Sequence, residues 1–262
     1  ALPGFCLPEQ LGSQLPDVNP SPIGVAISGN PGSIEAVQNG FARVQDQGSQ
    51  LVTLALAEAR IETKDTTWLD VCAGPGGKAA LLAALSVAKG TDLIANEVSL
   101  HRSELVSKSL KPLGKFRVTT SDGREIGNQA QRFSRILLDA PCTGLGALRR
   151  RPESRWRRTT DDLIDLVKLQ RELLESAWLA LEPGGVLAYV TCSPHLSETT
   201  AHVAWAQGRF KNQLELVNAN SILNGINPDL ALDETISTTQ LWPHVHGLSL
   251  IHISEPTRQA EI

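Results

Sequence analysis

The 262-residue sequence predicts an α/β fold: a doubly wound, mostly parallel sheet with a short N-terminal appendage. Three observations lead there. Strand-like and helix-like segments alternate from Thr67 onward. An apolar strand pattern runs into a glycine-rich turn and then an Ala/Leu-rich helix at residues 68–88. Hydrophobic residues make up 41% of the chain, which supplies one sizeable core.

The elements follow in order. Residues 1–40 are rich in Pro, Gly, Ser and Asn, lack a sustained period, and read as loop or a poorly ordered lead-in. Residues 49–61 read as a helix and 68–72 as a strand, with Cys72 an inert thiol inside it. The turn at 73–77 leads into a helix at 78–88, a strand at 93–97 and a helix at 100–110. Strands are expected at 116–120 and 134–138. Thr159-Thr160-Asp161-Asp162 is a capping box for an amphipathic helix over 161–181, stopped by Glu182-Pro183-Gly184-Gly185. A strand at 185–190, a helix at 197–206 and a strand at 214–217 complete the pattern.

Composition excludes several classes. Lys and Arg total 24 against 28 Asp and Glu, a net charge of −4, so the chain as a whole is no basic nucleic-acid binder. No apolar run of about 18 residues predicts a membrane span. No basic segment followed by an apolar stretch predicts a signal peptide. Four cysteines without secretory context predict a reducing, cytoplasmic setting. There is no C-x-x-C pair and the His are scattered, so no metal site is expected. The chain begins at Ala1 and contains no Met, which suggests a fragment or a processed product.

Four constellations carry chemistry. Asp70-Val71-Cys72-Ala73-Gly74-Pro75-Gly76-Gly77-Lys78 is a strand-turn-helix passage that lets a nucleotide-like ligand approach the backbone. It is neither a P-loop nor a G-x-G-x-x-G turn, so a dehydrogenase is disfavoured. Glu97, 20 residues after Gly77, suits a grip on ribose hydroxyls. Asp122 follows the next strand at a height where it can accept from an adenine amino group, or it simply forms an Asp-Gly turn. Asp139-Ala140-Pro141-Cys142 and Thr191-Cys192-Ser193-Pro194-His195 each close an apolar strand pattern. If those strands are neighbours in a parallel sheet, both sulfurs open into one crevice. One thiol can then attack a substrate while the other helps release it. Last, Arg149, Arg150, Arg151, Arg155, Arg157 and Arg158, six arginines in ten residues around Trp156, suit phosphate contacts and base stacking, or form a solvated loop.

These motifs, in this order, resemble the Nol/Nop/Sun family of RNA cytosine-5 methyltransferases, with the bacterial small-subunit ribosomal RNA enzyme as the nearest type. Val44-Gln45-Asp46-Gln47-Gly48-Ser49-Gln50 also resembles the family's entry to its catalytic domain, and the likeness spans residues 41–247. The resemblance implies a Rossmann-like methyltransferase domain with S-adenosylmethionine as cofactor. Cys72, Ala73, Gly74, Pro75, Gly76, Gly77 and Lys78 are implied to cradle its methionine end, with Glu97 at the ribose, Asp122 at the adenine and Asp139 between methyl donor and base. Cys192 is implied to be the nucleophile and Cys142 the residue for product release. RNA, foremost 16S ribosomal RNA, is the implied partner of a monomeric enzyme. A methyltransferase acting on another RNA such as tRNA, and a non-catalytic RNA-binding subunit, are the alternatives.

Three regions are expected: 1–64 as linker and remnant of an N-terminal auxiliary region, 65–247 as the catalytic domain, and 248–262 as an atypical tail. The family ends on a further sheet strand. Here the tail instead resembles a translated sequencing adapter and is expected to be a sequence artefact. Its pattern over 248–253 still permits an edge strand.

Overall fold

The computed structural model describes residues 1–13, 15, 21–148, 152–248 and 250–258. In chain order the elements are α1 (Glu35–Gln38), α2 (Gln47–Glu58), β1 (Thr67–Asp70), α3 (Gly77–Lys89), β2 (Asp92–Asn96) and α4 (Leu100–Leu110). Then come β3 (Arg117–Thr119), β4 (Phe133–Asp139), α5 (Ser154–Arg157), α6 (Thr160–Ala180), β5 (Leu181–Thr191) and α7 (Thr200–Phe210). The chain closes with β6 (Leu214–Val217), α8 (Ala219–Ile226), β7 (Thr239–Leu241), α9 (Pro243–His246) and β8 (Ile251–Arg258).

The strands form one sheet in the order β3-β2-β1-β4-β5-β8-β6, with β7 also pairing β8. The first five are parallel. The order reverses at β1, which lies between β2 and β4, so the crevice outside the carboxyl ends of β1 and β4 is the switch point where such sheets bind ligands. Side chains alternate across the sheet with period two. Trp68, Leu137 and Ala188 pack with α2, α3 and α8, while Leu69, Leu138 and Tyr189 pack with α6 and α7. Both faces are covered, as the doubly wound prediction requires.

Local chemistry sets the helix ends. Asp46 accepts from the Gly48 amide at 3.0 Å and starts α2 two residues earlier than expected. Thr159 and Asp162 form the predicted capping box of α6, with 2.8 Å from the Thr159 amide to Asp162. Cys72 was predicted inside a strand and lies outside one. β1 stops at Asp70 and Cys72 lies in the turn beyond it. The expected helix at 197–206 starts late, because a short 3-10 turn at Leu196–Glu198 capped by His195 comes first. The Pro183-Gly184 stop is absorbed into the start of β5, where Gly184 adopts φ +81° and its carbonyl accepts from the Glu62 amide at 2.8 Å.

The lead-in contributes to the packing: Leu2 is buried in the same core as α2, and Cys6 is buried. The tail is not the edge strand that its pattern permits. β8 lies between β5 and β6, antiparallel to both, and Ile253 and Glu255 are fully buried.

Candidate active site

Three strand ends and two cysteine loops build the crevice. Past β1 the chain turns through Cys72 and Gly74, and α3 starts at Gly77 with no side chain capping it. Its first-turn amides are free to face an anion. Gly76 adopts φ +110°, and a Cβ there would meet the Ser109 Cβ at 2.7 Å. Glycine therefore allows α3 to pack closely on α4. A Cβ on Gly74 would strike the Glu97 carboxylate and approach Arg102 Nε at 2.7 Å. The turn is a cradle with no side-chain wall.

Glu97 sits just past β2 and is almost fully buried. One of its oxygens accepts from the Gly74 amide at 3.0 Å and the other from the Ser99 amide at 3.1 Å. Each oxygen retains a second lone pair. Arg102 lies 3.4 Å from the same carboxylate. Asn96, which sequence reasoning passed over, ties the loops together. Its amide donates to the Val71 and Ser121 carbonyls at 3.1 and 3.0 Å, and its carbonyl accepts from Thr119 and Ser121, each at 2.8 Å. Asp122 stands past β3, where predicted. Arg124 occupies its carboxylate at 2.6 Å, and a second arm of Arg124 reaches Glu172 at 3.0 Å.

At the floor, Lys78 pairs with Asp139 at 2.8 Å. Burial works against the Lys78 cation, but the charge and hydrogen bond of Asp139 outweigh it and raise the pKa. Beside the pair lies Asp70, fully buried, with the Cys72 backbone amide as its near polar neighbour. Burial foremost, then the charge of Asp139, pushes Asp70 up to about 8, so it holds a proton at neutral pH. Burial, and then the charges of Asp70, Asp139 and Glu97, raise the Cys72 thiol above an ordinary one.

β4 and β5 pair in parallel with Asp139 opposite Val190, and this register carries Cys142 and Cys192 to one place. Their sulfurs are 3.4 Å apart, and both thiols are free. They are not equivalent. The hydrogen bond from Cys142 holds the Cys192 pKa below that of an ordinary thiol, against burial and the charge of Asp139, with help from Lys78. Cys142 is pushed well above the ordinary value by that hydrogen bond and by burial, with Glu198 adding in the same direction.

The loops are joined underneath. The Gly146 amide donates to the Cys192 carbonyl at 2.9 Å. Glu198 accepts from Thr143 and Ser193, and Gln170 donates to both Glu198 and the Pro141 carbonyl, each at 2.9 Å. None of these four side chains was singled out from sequence. Gln170 carried a signal: it is a polar residue on the buried face of α6, in line with Leu173, Leu174 and Ala177. Arg155, Trp156, Arg157 and Arg158 are exposed beside this site, and Arg158 donates to the Thr143 carbonyl at 3.3 Å. Arg155 stacks on Trp156 at 5.2 Å. Arg149, Arg150 and Arg151 lie outside the described residues.

A parallel sheet that reverses at β1, with a glycine cradle and an acidic residue past β2, is the Rossmann-like architecture of the S-adenosylmethionine-dependent methyltransferases. Residues 56–255 match the family model described as 16S rRNA methyltransferase RsmB/F. The chain belongs to that family, whose cofactor is S-adenosylmethionine. A putative methyltransferase of Mycobacterium tuberculosis is 46% identical over 87% of this chain and 48% of its own length. Ribosomal RNA small subunit methyltransferase B of Sodalis glossinidius is 36% identical over 73% of this chain and 43% of its own. The chain thus spans about half the length of the curated relatives it matches. Among solved structures, a methyltransferase homolog of Pyrococcus horikoshii superposes with a TM-score of 0.68 at 29% identity, covering 87% of this chain and 72% of that one. NSun6 of the same organism, solved with SFG, gives 0.70 at 23% identity over 91% and 58%, a likeness of fold. Among the described residues no helix is long and apolar enough to cross a membrane.

Proposed function

We propose that this chain is the catalytic portion of an RNA methyltransferase that moves a methyl group from S-adenosylmethionine to carbon 5 of a cytosine, with 16S ribosomal RNA as the substrate. The observation that carries the reading is the pair of sulfurs 3.4 Å apart, one thiol lowered and the other raised, beside the Lys78–Asp139 pair.

The crevice fits the cofactor. The α3 N-terminus and the turn from Cys72 through Ala73, Gly74, Pro75, Gly76 and Gly77 to Lys78 hold the methionine end, the spare lone pairs of Glu97 take the ribose hydroxyls, and Asp122 borders the adenine. For Asp122 to accept from the base, it must share its carboxylate with Arg124. Bound there, S-adenosylmethionine supplies an electrophilic methyl group.

Carbon 5 of cytosine is too weak a nucleophile to take that methyl group unaided. Cys192, as thiolate, adds to carbon 6 and forms a carbon–sulfur bond. Electron density moves to carbon 5 and to ring nitrogen 3; carbon 5 would then take the methyl group as its bond to the cofactor sulfonium breaks, leaving S-adenosylhomocysteine. Lys78, with Asp139 at nitrogen 3, offsets the charge developing in the ring. Cys142 assists the second half: the carbon 5 proton passes through it to solvent water, the electrons of that carbon–hydrogen bond restore the 5,6 double bond, and the Cys192 sulfur leaves as thiolate. Arg155, Trp156, Arg157 and Arg158 hold phosphates and stack a base near the site, with Arg149, Arg150 and Arg151 extending the same basic stretch.

The test uses a cytosine-containing ribosomal RNA fragment and S-adenosylmethionine. The Cys142→Ala variant should accumulate a covalent RNA–protein adduct on a denaturing gel, and Cys192→Ala should form none and transfer no methyl. Full transfer by Cys192→Ala would end the thiol-addition reading.

A further inference from the structure

Glu198 is a fully buried carboxylate that the chemistry above does not use. Four neutral donors converge on it. The Thr143 amide reaches one oxygen at 2.9 Å, and Gln170 Nε2 reaches the same oxygen at 2.9 Å. The Thr143 and Ser193 hydroxyls both donate to the other oxygen at 2.5 Å. The two hydroxyl oxygens lie 3.1 Å apart.

The sequence positions give this network its meaning. Thr143 directly follows Cys142, and Ser193 directly follows Cys192. The two cysteines sit on separate loops after separate strands, 50 residues apart. The backbone link between these loops is the Gly146 amide on the Cys192 carbonyl. Burying a carboxylate is strongly unfavourable unless its lone pairs are filled. Here every filled lone pair fastens a cysteine loop, or Gln170, which itself grips the Pro141 carbonyl before Cys142. Tyr189 completes the anchor by donating to the Glu198 carbonyl at 3.0 Å.

We propose that Glu198 is a positioning residue: its single carboxylate clasps the loop of Cys142 through Thr143 and the loop of Cys192 through Ser193, and so sets the spacing and the unequal roles of the two sulfurs. The proposal rests on the two-thiol reading above. Spacing matters because the Cys142 thiol stabilises the Cys192 thiolate through one hydrogen bond, which weakens steeply with distance. The charge of Glu198 lies on the Cys142 side, while Asp139, which raises the Cys192 thiol, and Lys78, which lowers it, both lie on the Cys192 side. The carboxylate therefore also favours the neutral thiol at 142 and leaves the anion at 192.

Alkylation by iodoacetamide between pH 5 and 10, with the modified cysteines resolved by peptide mass spectrometry, reads both sulfurs without RNA. The unmodified chain should label Cys192 in preference to Cys142, with a midpoint below that of a free thiol. Glu198→Ala should raise the Cys192 midpoint by about one unit and cut the preference for Cys192 about tenfold at pH 7.5. Glu198→Gln, which keeps the size and one acceptor, should recover part of the preference. Ser193→Ala should move both readings the same way by less. An unchanged midpoint and preference in a folded Glu198→Ala protein overturns the proposal. If that variant does not fold, unchanged values in both Glu198→Gln and Ser193→Ala overturn it. The covalent RNA adduct is a separate readout, so the clasp and the thiol-addition mechanism can fail independently.

Discussion

Cys142 and Cys192 read as alike in the sequence, each after an apolar strand and beside a proline. Their neighbours in space make them different. Cys192 has Lys78 on one side and the donating Cys142 thiol on the other. Cys142 has Glu198 behind it. A thiolate nucleophile needs the first setting and a proton-holding partner the second. Glycine identity is equally local in its effect. Gly76 combines φ +110° with a Ser109 Cβ that a new side chain would meet at 2.7 Å. Gly76→Ala should cost about 2–4 kcal/mol from backbone strain and overpacking. Urea denaturation gives that figure, and calorimetry should show weaker S-adenosylmethionine binding as α3 shifts from the turn. A loss below about 0.5 kcal/mol would show that α4 gives way freely.

At the level of elements, the termini of helices and strands were the most legible features. α4 appears over the predicted residues, and β4 and β6 lie within a residue of expectation at each end. The Thr159–Asp162 box starts α6 where the sequence places it. Thr159→Ala removes the side-chain acceptor for the Asp162 amide. It should cost about 1 kcal/mol, measured by urea denaturation, with methyl transfer unchanged per folded molecule. What was illegible at this scale depends on register. α8 and β7 were not predicted, because short segments carry too few periods to stand out. Glu198 was missed for a related reason. An acidic residue in the first turn of an expected helix reads as solvated, and only the parallel pairing of β4 with β5 turns it inward between two loops.

For the whole molecule, β8 is the least comfortable part of the sheet. An interior strand should be apolar and free of proline. This one contains Pro256 opposite Leu216 and, among the described residues, a buried His252 whose Nε2 has no hydrogen-bond partner and a fully buried Glu255 whose two oxygens have none. Burial pushes the Glu255 carboxyl up to about 8. The unfolded chain releases that proton near the ordinary carboxylate pKa of about 4.3, whereas the folded chain keeps it until about 8. Below the lower value Glu255 costs nothing by this route. Between the two values stability falls as pH rises, and above about 8 the penalty is constant. Glu255→Leu should therefore stabilise the chain more at pH 8.5 than at pH 5.5, by on the order of 3 kcal/mol, as read by urea melts at the two values. An equal gain at both would mean that Glu255 does not change its protonation on folding.

Much of this molecule follows from the sequence alone: the alternating α/β order, the glycine turn, the acidic residue past β2, both cysteine loops and the basic stretch around Trp156. Each is a local pattern, set by side-chain period, glycine spacing or a cap, and local patterns survive without knowledge of the fold. Tertiary structure decided the rest. It set the order of strands that puts β1 at the switch point, the 3.4 Å between two sulfurs, the proton on Asp70 and the inward turn of Glu198. The physical reason is that spacing, burial and charge at a site are sums over neighbours distant in the chain. Those neighbours meet only when the sheet has closed.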